Sequence, residues 1–256
     1  MKEEDSHNKK YIFIDECGDP EFYSNGKKLM IGTKGYQPLL LIGMIITDNR
    51  RKLWEEITKF QSNILTDPLY NTINSVKKAG WYLHAKDDFP DVRAKFFEKL
   101  RDTDNYETFV VIGRKELEIF NNKHNNNPSE FYFDVLHHLL KGKISDDEIE
   151  YELYLSQRKK SNMHRFEKAV EKGISGVNKN LKYNCHVVKS SVTSEMSIID
   201  YLLWALQRYL IKGEDRFFKA VIKKYTEIID IYDEKGETLY NNENVFDISK
   251  ASKFNI

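Results

Sequence analysis

The chain is poor in cysteine, has no excess of either charge and lacks a long apolar run. Each shortage removes a class of protein. Its two cysteines, Cys17 and Cys185, form no CxxC pair, and no Cys/His cluster has zinc spacing. A disulfide scaffold and a zinc module are therefore excluded, and two lone thiols suit a reducing cytosol. Lys plus Arg (40) equals Asp plus Glu (40), so no global basic excess advertises a nucleic-acid partner, and binding of that kind would use a local patch. The apolar stretches Leu39–Ile46 and Ile198–Leu206 are too short or too interrupted to span a bilayer. Met1 to Lys10 is polar and has no apolar signal core. A soluble, cytoplasmic protein is expected. No GxxxxGK[ST] loop, no HExxH and no glycine-rich nucleophile elbow occurs, which argues against a P-loop NTPase, a zinc protease of that type and a serine hydrolase. Cys17 with His84 or His186 would make a thiol nucleophile, but no motif supports it.

What the chain does have is core-forming material: hydrophobic residues are 40% of 256, and the length is enough for one large domain or two small ones. Residues 1–9 are expected as a loose tail and 10–256 as one domain. The first strand is placed at residues 10–16. Asn25-Gly26 between short apolar pieces signals a hairpin. Leu39 to Thr47 is nearly continuous in apolar residues and predicts a central strand buried on both faces. Asp48 is the expected cap of a helix from Lys52 to Ile64. Pro90 suits the first turn of a helix over 91–101, so residues 48–103 form a helical insertion. Strands are expected at 108–113, 149–156 and 183–189, and a solvated loop at 121–127. Helices are expected at 131–140, 162–172, 195–211 and 214–231. Alternation of strands and helices predicts an α/β domain, a mixed sheet with helices on its faces.

Two features carry chemistry. Tyr11-Ile12-Phe13-Ile14 runs straight into Asp15-Glu16-Cys17-Gly18-Asp19. Carboxylates at the lip of a sheet cost desolvation unless a cation or donors compensate them, and hard divalent cations take oxygen ligands of this kind. The plainer reading is a strand-end turn, since Gly18-Asp19-Pro20 is good turn chemistry. The second feature is Glu195–Ile211. At about 100° per residue its apolar positions cover most of the circumference, leaving Ser197, Asp200, Trp204, Gln207 and Arg208 on one stripe. A buried mid-helix aspartate either pairs, with Arg208 or a tyrosine, or binds a cation. Together, Asp15 and Asp200 suggest the carboxylates of a metal site for phosphodiester hydrolysis, where two ions sit about 4 Å apart.

Three segments in order resemble the bacterial family called domain of unknown function 3800. Asp15-Glu16-Cys17-Gly18-Asp19 is similar to its DESGD signature. His84-Ala85-Lys86-Asp87-Asp88 with Arg93 resembles its central polar segment, and Asp200 to Arg208 its closing helix. The resemblance spans roughly residues 11–230. It implies a ribonuclease H-like fold, a divalent-metal-dependent nuclease acting on RNA or DNA, and Mg²⁺ or Mn²⁺ as cofactor. Asp15, Glu16 and Asp200 would be catalytic, with Asp15, Asp19 and Asp200 at the metal. His84, Lys86, Arg158 and Lys159 would contact substrate. The chain departs from the family pattern at Cys17, where serine is usual, and at Ser197, where glutamine is frequent. Ser156-Gln157 is neutral where the family has an acid before the arginine. A non-catalytic nucleic-acid or protein-binding module that has lost one carboxylate is the alternative.

Overall fold

The structure, a computed structural model, describes residues 8–25, 27–157 and 180–253. The chain builds β1 (Lys9–Gly18), β2 (Leu39–Thr47), α1 (Arg50–Thr66), α2 (Pro90–Asp102), β3 (Glu107–Arg114), α3 (Leu117–Asn122) and α4 (Pro128–Leu140). It continues with β4 (Glu150–Ser156), β5 (Lys182–Val188), α5 (Met196–Lys212), α6 (Asp215–Val221), β6 (Glu227–Ile231) and β7 (Thr238–Tyr240). The strands form one mixed seven-stranded sheet in the order β5-β4-β1-β2-β3-β6-β7. β1, β2 and β3 run antiparallel in succession, while β4 lies parallel to β1, and β5 parallel to β4. This is the α/β class expected from the sequence. Among the described residues, no helix is long and apolar enough to cross a membrane.

Strand alternation divides the core into two layers. Phe13, Leu41 and Ile45 point to one face, where α1, α2, α5 and α6 pack. Ile12, Ile14, Ile42 and Met44 point to the other, against α3 and α4. Every residue of β2 is buried, as its unbroken apolar run demands of a central strand. Gly43 sits opposite Asp15 in the β1–β2 register. A Cβ there would stand 2.8 Å from Ile199 and 2.9 Å from Leu203, so α5 rests directly on the sheet at this glycine. That close approach sets the height of α5 above the end of β1.

Several sequence expectations are corrected. Asn49, not Asp48, caps α1, its side chain accepting from the Lys52 N–H. Asparagine does so as well as aspartate, and the helix begins at Arg50, directly after this cap. The 121–127 stretch is partly helical, since α3 ends at Asn122, and its His124 is buried against Asp134 and Phe131. Asn25 lies in a turn closed by a single bridge, Tyr23 to Leu29. The expected helix over 214–231 stops at Val221. Ile228 and Ile231 then enter the core from β6, which pairs parallel to β3. A buried ion pair fixes that pairing: Arg114 donates Nε to Asp230 Oδ1 (2.9 Å) and Nη2 to Oδ2 (2.8 Å). The C-terminal region thus extends the sheet with two strands. The helix expected at 162–172, and Arg158 and Lys159, lie outside the described residues.

Candidate active site

Asp15 is the last acid on the α5 side of β1. Phe13 two residues earlier fixes which side that is. Asp200, one residue past Ile199, comes down beside it because Ile199 and Leu203 seat α5 on Gly43. The two side chains line one polar cavity of about 240 Å³, with Glu16, Tyr82, His84, Ser156, Gln157, Ser190 and Ser197 also in its wall. That volume accommodates an ion with several waters, each water taking about 30 Å³.

The loop before α2 closes one side and is clamped from four directions. Asp88, buried, accepts from Trp81 Nε1 (2.9 Å), from the His84 N–H (2.8 Å) and from the Tyr201 hydroxyl. Ser197 Oγ donates to Leu83 O at 3.0 Å. Arg93 donates to the carbonyls of Ala85 (2.7 Å) and Asp88 (2.6 Å), with its guanidinium 4.5 Å over the Trp204 ring. The Ala85 N–H then donates to Asp200 Oδ2 at 2.7 Å. These contacts hold His84 over the cavity, its Nε2 3.8 Å from Asp200 Oδ1 and its Nδ1 3.1 Å from Asp87 Oδ2. The N-terminal end of α5 is anchored separately. Glu195, fully buried, pairs with Arg50 Nε at 2.7 Å, and Arg50 also reaches the Tyr154 hydroxyl at 2.7 Å.

The electrostatics of the pair are unfavourable as they stand. Burial pushes the Asp15 carboxyl up to about 7, and the nearby Asp200 charge pushes the same way. Its own hydrogen bonds, from backbone and from the Ser156 hydroxyl, only partly offset this. Burial likewise raises Asp200, with Asp88 and Asp87 adding repulsion against the single Ala85 N–H. None of the described residues lining the cavity is a lysine or arginine. Asp200 pairs with neither Arg208 nor Tyr201: Arg208 forks onto Glu214, and the Tyr201 hydroxyl goes to Asp88. Two carboxylates lining one cavity, met by hydrogen bonds and by His84 at 3.8 Å but by no lysine or arginine among the described lining residues, are an arrangement a hard cation would relieve. Among the described residues, no group of three or more His, Cys, Asp or Glu side chains is placed to hold a metal ion. The donor set therefore suits an ion that takes one or two protein carboxylates and keeps waters, as Mg²⁺ commonly does.

The other sequence-predicted residues divide. Glu16, next in the strand, lines the cavity. Asp19 is drawn elsewhere: its Oδ1 accepts from the Glu21 N–H (2.9 Å) and from the buried Lys115 (3.2 Å), and it does not line the cavity. It serves the turn and neutralises a buried ammonium, away from the cavity that Asp15 and Asp200 line. Lys86 is exposed on the loop, outside the cavity wall. Burial drives the Cys17 thiol up to about 12, aided by the repulsion of Asp200 and Asp15. A raised thiol disfavours the thiolate, which is the nucleophile, and His186 is occupied by Glu152 at 2.7 Å.

Sequence reasoning missed Gly43, Ser190 and the role of Tyr201. It also left open which of Ser156 and Gln157 stands in place of the acid. The parallel register aligns Ile14 with Leu155, which puts Ser156 beside Asp15. The spacing Tyr11, Phe13, Asp15 against Glu152, Tyr154, Ser156 held that answer once the strands were known to be parallel.

No family model matches the chain, and no curated protein matches it. Among solved structures it is similar to the ribonuclease H2 from Pyrococcus horikoshii OT3, at 14% identity over 84% of this chain and 80% of that one, with a TM-score of 0.45. A likeness at that level bears on neither activity nor substrate.

Proposed function

We propose that the chain is a divalent-metal-dependent nuclease of the domain of unknown function 3800 type, hydrolysing phosphodiester bonds of RNA or DNA. The observation that carries this reading is the Asp15–Asp200 pair in a polar cavity with no lysine or arginine among its described lining residues. Ionising such a pair costs several kcal/mol in the metal-free chain, a cost that a bound cation would offset.

Asp15 and Asp200 hold the ion, Mg²⁺ or Mn²⁺. When bound, such an ion polarises the phosphate and activates water. The Ser156 hydroxyl and the Ala85 N–H orient the two carboxylates. His84, held over the cavity on the clamped loop, would contact the phosphate, and Glu16 lines the same cavity. Lys86 on the loop, with Arg158 and Lys159 following Gln157 in the sequence, would meet the flanking backbone phosphates.

The neutral Ser156 favours a second reading, a module that binds nucleic acid or protein and does not cut. Incubation with single- and double-stranded RNA and DNA in Mn²⁺ separates the two. Cleavage by the wild type, lost in Asp200→Asn and in chelator, supports the nuclease. Metal-dependent retention of a strand without cleavage supports the binding module.

A further inference from the structure

Ser156 stands beside Asp15 on the neighbouring strand, where a carboxylate would share an ion with Asp15. It ends β4, the strand parallel to β1, and follows Leu155, which is aligned with Ile14. Adjacent strands lie about 4.8 Å apart, so a carboxylate at 156 would stand next to that of Asp15. The serine is instead built into a hydroxyl chain. Its Oγ hydrogen-bonds Asp15 and lies 3.1 Å from Ser190 Oγ. A hydroxyl has one proton to give, so with Ser156 donating to Asp15, Ser190 donates to Ser156. Gln157 also lines the cavity, but its backbone N–H is committed to Val188 O at 2.7 Å, beyond the end of the strand register.

We propose that this chain holds a single divalent ion between Asp15 and Asp200, and that Ser156 is the residue limiting it to one. The inference rests on the metal-site reading and sharpens it. Paired ions need three or four carboxylates to share between them. On the α5 face of the sheet the described residues bring two carboxylates to this point, with a neutral hydroxyl chain beside them; Glu16, the other carboxylate at the cavity, alternates to the opposite face of β1. Whatever a second ion would contribute to binding a phosphodiester must come from the substrate or from basic side chains. The serine also gains something for the metal-free chain: a third acid beside an already repelling pair would be buried against like charge.

The test is Mn²⁺ binding to the full chain, read by calorimetry for stoichiometry and by electron paramagnetic resonance for coupled ions. It is made on the wild type, Ser156→Asp and Asp200→Asn. The expected result is one uncoupled Mn²⁺ in the wild type, lost in Asp200→Asn. Ser156→Asp is expected to give a second equivalent with a coupled spectrum, or affinity for the first raised about tenfold or more. Two ions in the wild type would overturn the proposal while leaving a metal site standing. Unchanged stoichiometry and affinity in folded Ser156→Asp would overturn the role of Ser156. No wild-type binding would sink the metal-site reading itself, and the inference with it. Should Ser156→Asp fail to fold by circular dichroism, Ser156→Glu carries the same comparison, and the wild-type stoichiometry stands independently of either variant.

Discussion

Replacing Asp200 by asparagine should stabilise the metal-free chain at alkaline pH, an unusual outcome for a change in the middle of a buried helix. The substitution keeps the acceptor for the Ala85 N–H and removes one charge of the pair. A carboxyl moved from 3.8 to about 7 opposes ionisation by roughly 4 kcal/mol, at about 1.4 kcal/mol per tenfold. Relief of mutual repulsion and burial by one substitution is then on the order of 2–4 kcal/mol. For a chain of this size that corresponds to roughly 5–10 °C in Tm. The sign follows from proton counting. With folded values above the unfolded ones, the native chain binds more protons through the acid-to-neutral window, so stability falls as pH rises through it. The assay is thermal unfolding by circular dichroism in chelator at about pH 5 and about pH 8. Wild type should lose stability between the two, the variant should lose less, and the variant should melt higher at the alkaline value. Mn²⁺ at 100 times its Kd should then return about 2.7 kcal/mol to the wild type alone. A variant that melts lower than wild type at alkaline pH in chelator, or a wild-type Tm flat across the window, would refute the reasoning, because the pair would already be compensated within the chain.

Other outcomes follow from the same contacts. Tyr201→Phe removes one of three donors to buried Asp88, and should cost about 1–3 kcal/mol and weaken Mn²⁺ binding as the 81–88 loop loosens, both read by denaturant titration and calorimetry. Gly43→Ala should lower stability by about 1–3 kcal/mol, since the new methyl meets Ile199 and Leu203; an unchanged denaturation midpoint would mean α5 is not seated there. Asp230→Asn leaves Arg114 without its fork and should cost about 3 kcal/mol or more, with no change in Mn²⁺ affinity. Cys17 should resist alkylation at pH 8 in the folded chain, its thiol being held protonated, and rapid modification by iodoacetamide would contradict that.

The parts of this molecule legible in its sequence were those written in local pattern. β2 announces itself by seven apolar residues in nine, and α2 by Pro90 in its first turn. Asp15 and Asp200 stood out because an acid at a strand end and an acid inside an apolar helix both need a reason. What was not legible depended on partners distant in the chain. Residues 227–231 look helical in continuation of α6 until β3 and the Arg114–Asp230 pair give them an edge to join. Asp19 looks like a member of the acidic cluster until Lys115, 96 residues away, claims it. Gly43 is silent within an apolar strand, and only the descent of α5 shows that a side chain there would hold the two aspartates apart. Ser156 and Gln157 were equivalent as letters, and the parallel register of β4 against β1 separates them.

The central claim is that Asp15 and Asp200 form one cation site. It is tested most directly by Mn²⁺ calorimetry on the wild type and on the double variant Asp15→Asn/Asp200→Asn. The claim predicts saturable binding by the wild type that strengthens as pH rises from about 6 to about 8, because the raised carboxyls must ionise to accept the ion, and its complete loss in the double variant. Absence of saturable binding in the wild type, or binding that survives in the double variant, would contradict it.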